Sequence, residues 1–121
     1  MRLEVGTGHF GGIVTQAMSS TRLDALKGLV EQNPTNSFMR YGLAMEYKNA
    51  GNLESAIREF RALLETTPDY SAAYFHGGQA LERLGRVDEA RAMYVEGLEV
   101  TSRKGDLHTR DEIQAALSLL D

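Results

Sequence analysis

The sequence predicts an all-α fold of about six antiparallel helices, and three observations carry that prediction. Residues set against those 34 positions later echo one another: the only two prolines, Pro34 and Pro68, stand at that interval, as do Ala44 and Gly78, Tyr47 and Leu81, Ala56 and Ala90, Phe60 and Tyr94, and Leu64 and Leu98. A fixed period of this length marks a repeat array, whose units bury their apolar faces only against neighbours. Within each period apolar residues recur at three- and four-residue steps, the helical interval. Gly51 and Gly85, also one period apart, fall where two helices must be joined.

Residues 1–18 stand outside this pattern. They hold four of the twelve glycines and little charge, and each interior glycine costs a helix roughly 1 kcal/mol relative to alanine. An irregular N-terminal tail is expected there, with the folded domain over 19–121. Met18-Ser19-Ser20 reads as a natural start of the folded unit. Glu4 and the glycines also break any apolar run that a secretory signal would need.

From Thr21 the elements follow in order. Thr21 with Asp24 resembles a capping box, and Leu23, Leu26, Leu29 and Val30 form one apolar face to about Asn33. Subtracting 34 from Phe60, Leu63 and Leu64 lands on Leu26, Leu29 and Val30. The helix therefore has the register of the second helix of a repeat, a half repeat at the N-terminus. The first full repeat, about 37–70, has a helix near 36–50 with Phe38, Tyr41, Leu43, Ala44 and Tyr47. Its second helix, near 53–66, carries Ala56, Ile57, Phe60, Leu63 and Leu64. The second repeat, about 71–104, copies it: Asp69 or Ser71 as N-cap, a helix near 70–84, then one near 87–102 with Val87, Ala90, Tyr94, Leu98 and Val100. Gly105-Asp106 restarts the chain, and Ile113, Ala116, Leu117 and Leu120 stripe a capping helix over 106–120.

Composition narrows the function. A net charge of −4, with 17 acidic against 13 basic residues and no cationic run, argues against nucleic acid or an anionic membrane as main ligand. Zero cysteines exclude disulfides, thiolate metal sites and a cysteine nucleophile. Cytoplasm is the expected compartment. His9, His76 and His108 are too scattered for a metal site, and His108 with Glu112 reads as a solvated i,i+4 pair. Gly8-His9-Phe10-Gly11-Gly12 follows no strand and lacks a basic residue, so it makes a poor phosphate cradle. Neither a cofactor nor a catalytic constellation is expected.

The matched positions make the chain resemble the tetratricopeptide repeat family over about residues 21–120. The small slot of the first helix holds Ala44 and Gly78, the aromatic slot Tyr47 and Leu81, the small slot of the second helix Ala56 and Ala90, the next aromatic slot Phe60 and Tyr94, and the closing proline Pro34 and Pro68. Departures are Arg40, where the family most often has tryptophan or tyrosine, Gly77, Gly97, and Ser102 in place of a third proline. Gly77 with Gly78 costs the helix roughly 1–2 kcal/mol; tight helix packing is the favoured reason, and close approach of a ligand to the backbone the other.

The resemblance implies a right-handed superhelix with a concave surface lined by the first helix of each repeat. By register that surface holds Phe38, Tyr41, Met45 and Lys48, then Ala72, Phe75, His76, Gln79, Glu82 and Arg83. Phe38, Tyr41 and Phe75 are open to two readings, groove or core. Some family members grip a C-terminal carboxylate with Lys, Asn and Arg; in that register this chain has Tyr41, Met45 and His76, with Arg110 the only candidate donor, so that clamp is not expected. The function expected is non-enzymatic: a protein-interaction module holding a peptide or partner helix. The alternative is self-association, with Phe10, Ile13 and Val14 of the tail docking into a neighbour's groove.

Overall fold

A computed structural model describes residues 21–120, which are helical throughout apart from short connections. The tail expected over 1–18 lies outside the described residues. Residues 21–32 form α1, followed by α2 (Ser37–Asn49), α3 (Leu53–Thr66), α4 (Ser71–Arg83), α5 (Val87–Lys104) and α6 (Leu107–Ser118). These boundaries match the 34-residue period to within two residues, except at the end of α5.

The inter-helix turns repeat almost atom for atom. Gly51 and Gly85 adopt left-handed backbone with φ of 83° and 78°. The following amides reach back across them, Asn52 N to Tyr47 O and Arg86 N to Leu81 O, both at 2.9 Å. A side chain would make that conformation costly, so glycine recurs there. At the other end of each repeat the proline does the work: Thr67, held extended before Pro68 at φ −133° and ψ 77°, ends α3 after 14 residues. Ser102 imposes no such restriction. α5 therefore runs to Lys104, 18 residues, and stops only where Gly105 turns left-handed at φ 77°.

Caps follow the sequence in part. Asn36 Oδ1 accepts from Met39 N at 3.0 Å and opens α2, and Asp106 Oδ1 accepts from Thr109 N at 3.3 Å and opens α6. Neither Asp69 nor Ser71 caps α4: the N-cap is Tyr70, which makes no side-chain cap bond. Ser71 instead lies inside the first turn, where its hydroxyl accepts from Lys104 Nζ at 3.3 Å.

Two apolar clusters hold the stack. Val30, Leu43, Ala44, Tyr47, Ala56, Phe60, Leu63 and Ala73 form the first, and Ile57, Tyr74, Ala80, Leu81, Ala90, Met93, Tyr94, Val100 and Ile113 the second, with Leu64 packed against both. Val87, at the first turn of α5, is 38% exposed. The glycine pair in α4 is explained by packing. A β-carbon at Gly78 would enter the Tyr94 ring, and one at Gly77 would stand 3.1 Å from Met93 Sδ. Gly97 answers the same need, since a β-carbon there would lie 2.7 Å from Tyr74 Cβ and 2.9 Å from Ile113 Cδ1.

Arg40 also finds its reason. At the matched position Tyr74 donates its hydroxyl to Pro68 O at 2.6 Å; Arg40 donates Nη2 to Pro34 O at 3.1 Å, the same carbonyl one repeat earlier. Its Nη1 meets Glu59 Oε1 at 2.6 Å. A guanidinium thus replaces a phenol in tying the helix to the preceding loop, and needs a carboxylate to remain half-buried.

Candidate functional site

The α2 backbone approaches that of α4 and the α4 backbone that of α6, whereas α3 and α5 meet only through side chains, as in the Arg61–Glu89 ion pair at 3.1 Å. The stack is therefore tighter on the α2/α4/α6 side and curves toward it. The faces of α2 and α4 that enter the core are used up by Leu43, Ala44 and Tyr47 and by Ala73, Tyr74, Gly77, Gly78, Ala80 and Leu81. What remains on these helices is the candidate surface.

Most of the residues expected on that surface come together. The Tyr41 ring lies 5.2 Å from Tyr70, 6.1 Å from His76 and 6.2 Å from Phe60, and His76 lies 5.1 Å from Phe75. Tyr41 is half-buried, with Phe60 beneath it, so it is both a cover for the first core and part of the surface. Phe75 and Met45 are likewise half-buried against the second and first clusters. Phe38 is different: at 76% exposed it belongs to neither core. Tyr70 was not among the residues expected; its place directly before α4 puts it beside Tyr41, and the only signal in the sequence was an aromatic next to a helix start.

Beside this aromatic row lies a polar cavity of about 370 Å³ lined by Lys48, Gln79, Glu82 and Arg83. Lys48 is only 9% exposed, and its Nζ donates to Gln79 Oε1 at 2.6 Å and to His76 Nδ1 at 3.0 Å. Burial, and then the Arg83 charge, push the Lys48 amine below its ordinary range. Burial and the Lys48 cation drive His76 down to about 4, outweighing the opposing bond from Gln79. The imidazole is therefore neutral at pH 7, with Nδ1 accepting and Nε2–H left as donor. Among the described residues neither Lys48 nor Arg83 has a carboxylate partner. Glu82 has its Oε2 occupied, accepting from the Tyr94 hydroxyl. Arg110 stands apart on α6 and pairs with Asp111 at 3.3 Å. Lys48 and Arg83, outside the register of that clamp, line one cavity.

α6 contributes Glu112, whose charge, after burial and Tyr70, helps raise the Tyr41 phenol. His108 Nε2 stands 3.7 Å from Glu112 Oε1, with both side chains exposed, and no three His, Cys, Asp or Glu side chains gather around a metal-sized space among the described residues. No helix among them is long and apolar enough to cross a membrane.

Comparison with known proteins agrees with this architecture. A family model described as tetratricopeptide repeat matches residues 41–99. A TPR repeat-containing protein of Pseudomonas aeruginosa is 28% identical over 99 residues, covering 82% of this chain and 94% of its own length. The crystal structure of a tetratricopeptide repeat domain protein from Salinibacter ruber is 38% identical with a TM-score of 0.67, over 70% of this chain and 94% of that one. A type III secretion translocator chaperone of Yersinia enterocolitica, SycD, matches in fold with a TM-score of 0.79 at 14% identity, over 97% of this chain and 79% of that one.

Proposed function

The chain belongs to the tetratricopeptide repeat family, whose fold generally serves as a non-catalytic protein-protein interaction module, and on that premise we propose that it holds a peptide or partner helix against the α2/α4/α6 side. The observation that carries this is the Tyr70–Tyr41–His76–Phe75 row, partly open on the inner side of the stack while the opposite faces of the same helices are consumed by the core. Aromatic rings offer large contact area at low conformational cost, and Met45 beside them adapts to an irregular apolar anchor. Exposed Phe38 extends the row toward the start of α2, and Lys48, Gln79 and Arg83 supply polar contacts at its far side. An extended or helical segment with one or two apolar anchors fits these requirements.

The test is a pull-down from the source cell together with a peptide-array screen, repeated with Tyr41→Ala and Phe75→Ala. Capture of a defined segment by the wild type, lost in either variant while the helical circular-dichroism signal is retained, is the expected result. Variants that change only stability, with no segment captured by any form, would overturn the reading. Light scattering on the same samples separates a foreign partner from a second copy of this chain.

A further inference from the structure

The two ends of the stack are finished differently. α6 leaves His108, Asp111, Glu112, Gln114 and Ala115 exposed along its middle, the mainly polar outer face that a terminal unit needs. α1 has no such finish. Val30 is its only buried residue, Leu29 is 41% exposed, and Leu23 and Leu26 are half-buried. One period later the matched residues of α3 are sealed: Ile57 and Phe60 are buried, and Leu63, matched to Leu29, is 0% exposed. The difference is the first helix of the repeat. α2 packs along α3, whereas among the described residues no helix precedes α1.

The chain that leads into α1 matches this uncovered face. Twenty residues precede Thr21 in the sequence, and the Arg22–Glu46 ion pair at 3.1 Å fixes the start of α1 beside the end of α2. A helix of this length spans about 18 Å, so the preceding segment is long enough to run back along it. The 34-residue register then pairs its side chains with the face. Gly78 is pressed by the Tyr94 ring; the matched pair one period earlier is Ala44 with Phe60, and one period before that Phe10 with Leu26. As the residue on the second helix shrinks from tyrosine to phenylalanine to leucine, its counterpart grows from glycine to alanine to phenylalanine. That compensation is what a filled core requires. A second contact changes as a unit. Lys48 reaches His76 at 3.0 Å and Gln79 at 2.6 Å, and one period earlier these positions hold Val14, Gly42 and Met45, with no hydrogen-bonding side chain among them.

We propose that residues 3–18 of this chain pack along α1 in the place of its missing first helix, with Phe10 over Leu26 and Val14 against Gly42 and Met45, and so complete the N-terminal half repeat. Gly6, Gly8, Gly11 and Gly12 leave the segment little helix stability of its own. It takes this place through burial of Phe10, Ile13 and Val14 and through its covalent attachment to α1, which makes the contact intramolecular. Gly6 falls opposite Leu29, as Tyr74 falls against Gly97 two periods later. Tyr41 turns to Tyr70 and His76 on the α4 side of α2, away from this contact. The packing of the segment and the peptide surface therefore stand or fall independently.

The chain has no cysteine, so an engineered pair reports this contact in the full chain. Gly6→Cys with Leu29→Cys is expected to close an intrachain disulfide under mild oxidation about tenfold faster than Gly6→Cys with Lys27→Cys, a control at similar distance along the chain but on a different face of α1. Equal rates for the two pairs would overturn the proposal, as would a disulfide formed between two copies. Hydrogen exchange gives a second reading that needs no thiols. Phe10→Asp should speed exchange of the α1 amides about tenfold and leave those of α4 and α5 unchanged. Exchange in α1 equal to that of wild type would show that the segment does not cover this helix, whatever peptide the Tyr41 side captures.

Discussion

Where α5 carries Tyr94, α3 carries Phe60, and that single oxygen separates the two repeats. Both rings are fully buried at matched positions. The Tyr94 hydroxyl takes Glu82 as its acceptor, and burial and that bond hold the phenol well above its ordinary range. Phe60 makes no such demand, and the residue matched to Glu82 is Lys48, which turns instead to Gln79 and His76 across the gap between α2 and α4. The second repeat uses its polar residue to complete its own core, and the first releases a cation toward its neighbour. Small residues differ in parallel: Ala44 has room for its methyl group, whereas Gly78 is pressed by the Tyr94 ring.

The largest expected effect comes from forcing the second repeat to accept the residue of the first. Gly78→Ala should destabilise the domain by about 2–3 kcal/mol in urea denaturation despite the better helix propensity of alanine, because the Tyr94 ring must move. The reverse exchange, Ala44→Gly, should cost about 2 kcal/mol, from lost helix propensity and a lost buried methyl group. A Gly78→Ala variant more stable than wild type, as helix propensity alone would give, would show that the Tyr94 ring does not press on α4.

Acid should act through the interface between them. His76 faces Lys48, Gln79, Tyr41 and Phe75, and its folded pKa of about 4 lies below the ordinary 6.5. The unfolded chain therefore binds a proton that the folded chain refuses between those values. Stability is full above pH 6.5 and declines as pH falls toward 4, by about 1 kcal/mol at pH 5 after allowance for the partly exposed ring. His76→Gln should remove that component of the urea midpoint's pH dependence, and a variant with the same pH slope as wild type would contradict it.

Tyr94→Phe makes the second repeat resemble the first. It loses one bond to a carboxylate, costing about 1 kcal/mol. A urea midpoint unchanged from wild type would show that the second core does not need the Tyr94–Glu82 bond. The smallest effect on stability belongs to Lys48→Met, which removes an uncompensated cation: its melting temperature should equal or exceed that of wild type. A marked drop would show that Lys48 holds α2 to α4.

Much of this fold is legible along the chain. Gly51 and Gly85 act on their own backbone torsions and Pro68 on those of Thr67 before it, so the turns and the end of α3 follow from local residue identity, and Ser102 explains in the same way why α5 runs on. The surface is legible only in part. Register places Tyr41, Phe75, His76 and Gln79 on one side, but Tyr70 reaches the row through the path of the loop before α4, and Phe38 and Phe75 differ in exposure because only Phe75 packs against a neighbouring cluster. Arg40 departs from the family pattern in sequence yet keeps its contact in space, since a guanidinium backed by Glu59 reaches the Pro34 carbonyl as a phenol reaches that of Pro68.

The sequence by itself determined the all-helical architecture, the 34-residue period and the points where helices stop, because these depend on torsions and on apolar spacing within a few turns. Tertiary structure alone decided that Gly78 and Gly97 are spacers for the Tyr94 and Tyr74 rings and that Lys48 turns to Gln79 and His76. Both depend on which side chains from different helices share one space, and on which hydrogen-bond partner, among several of suitable chemistry, lies within reach.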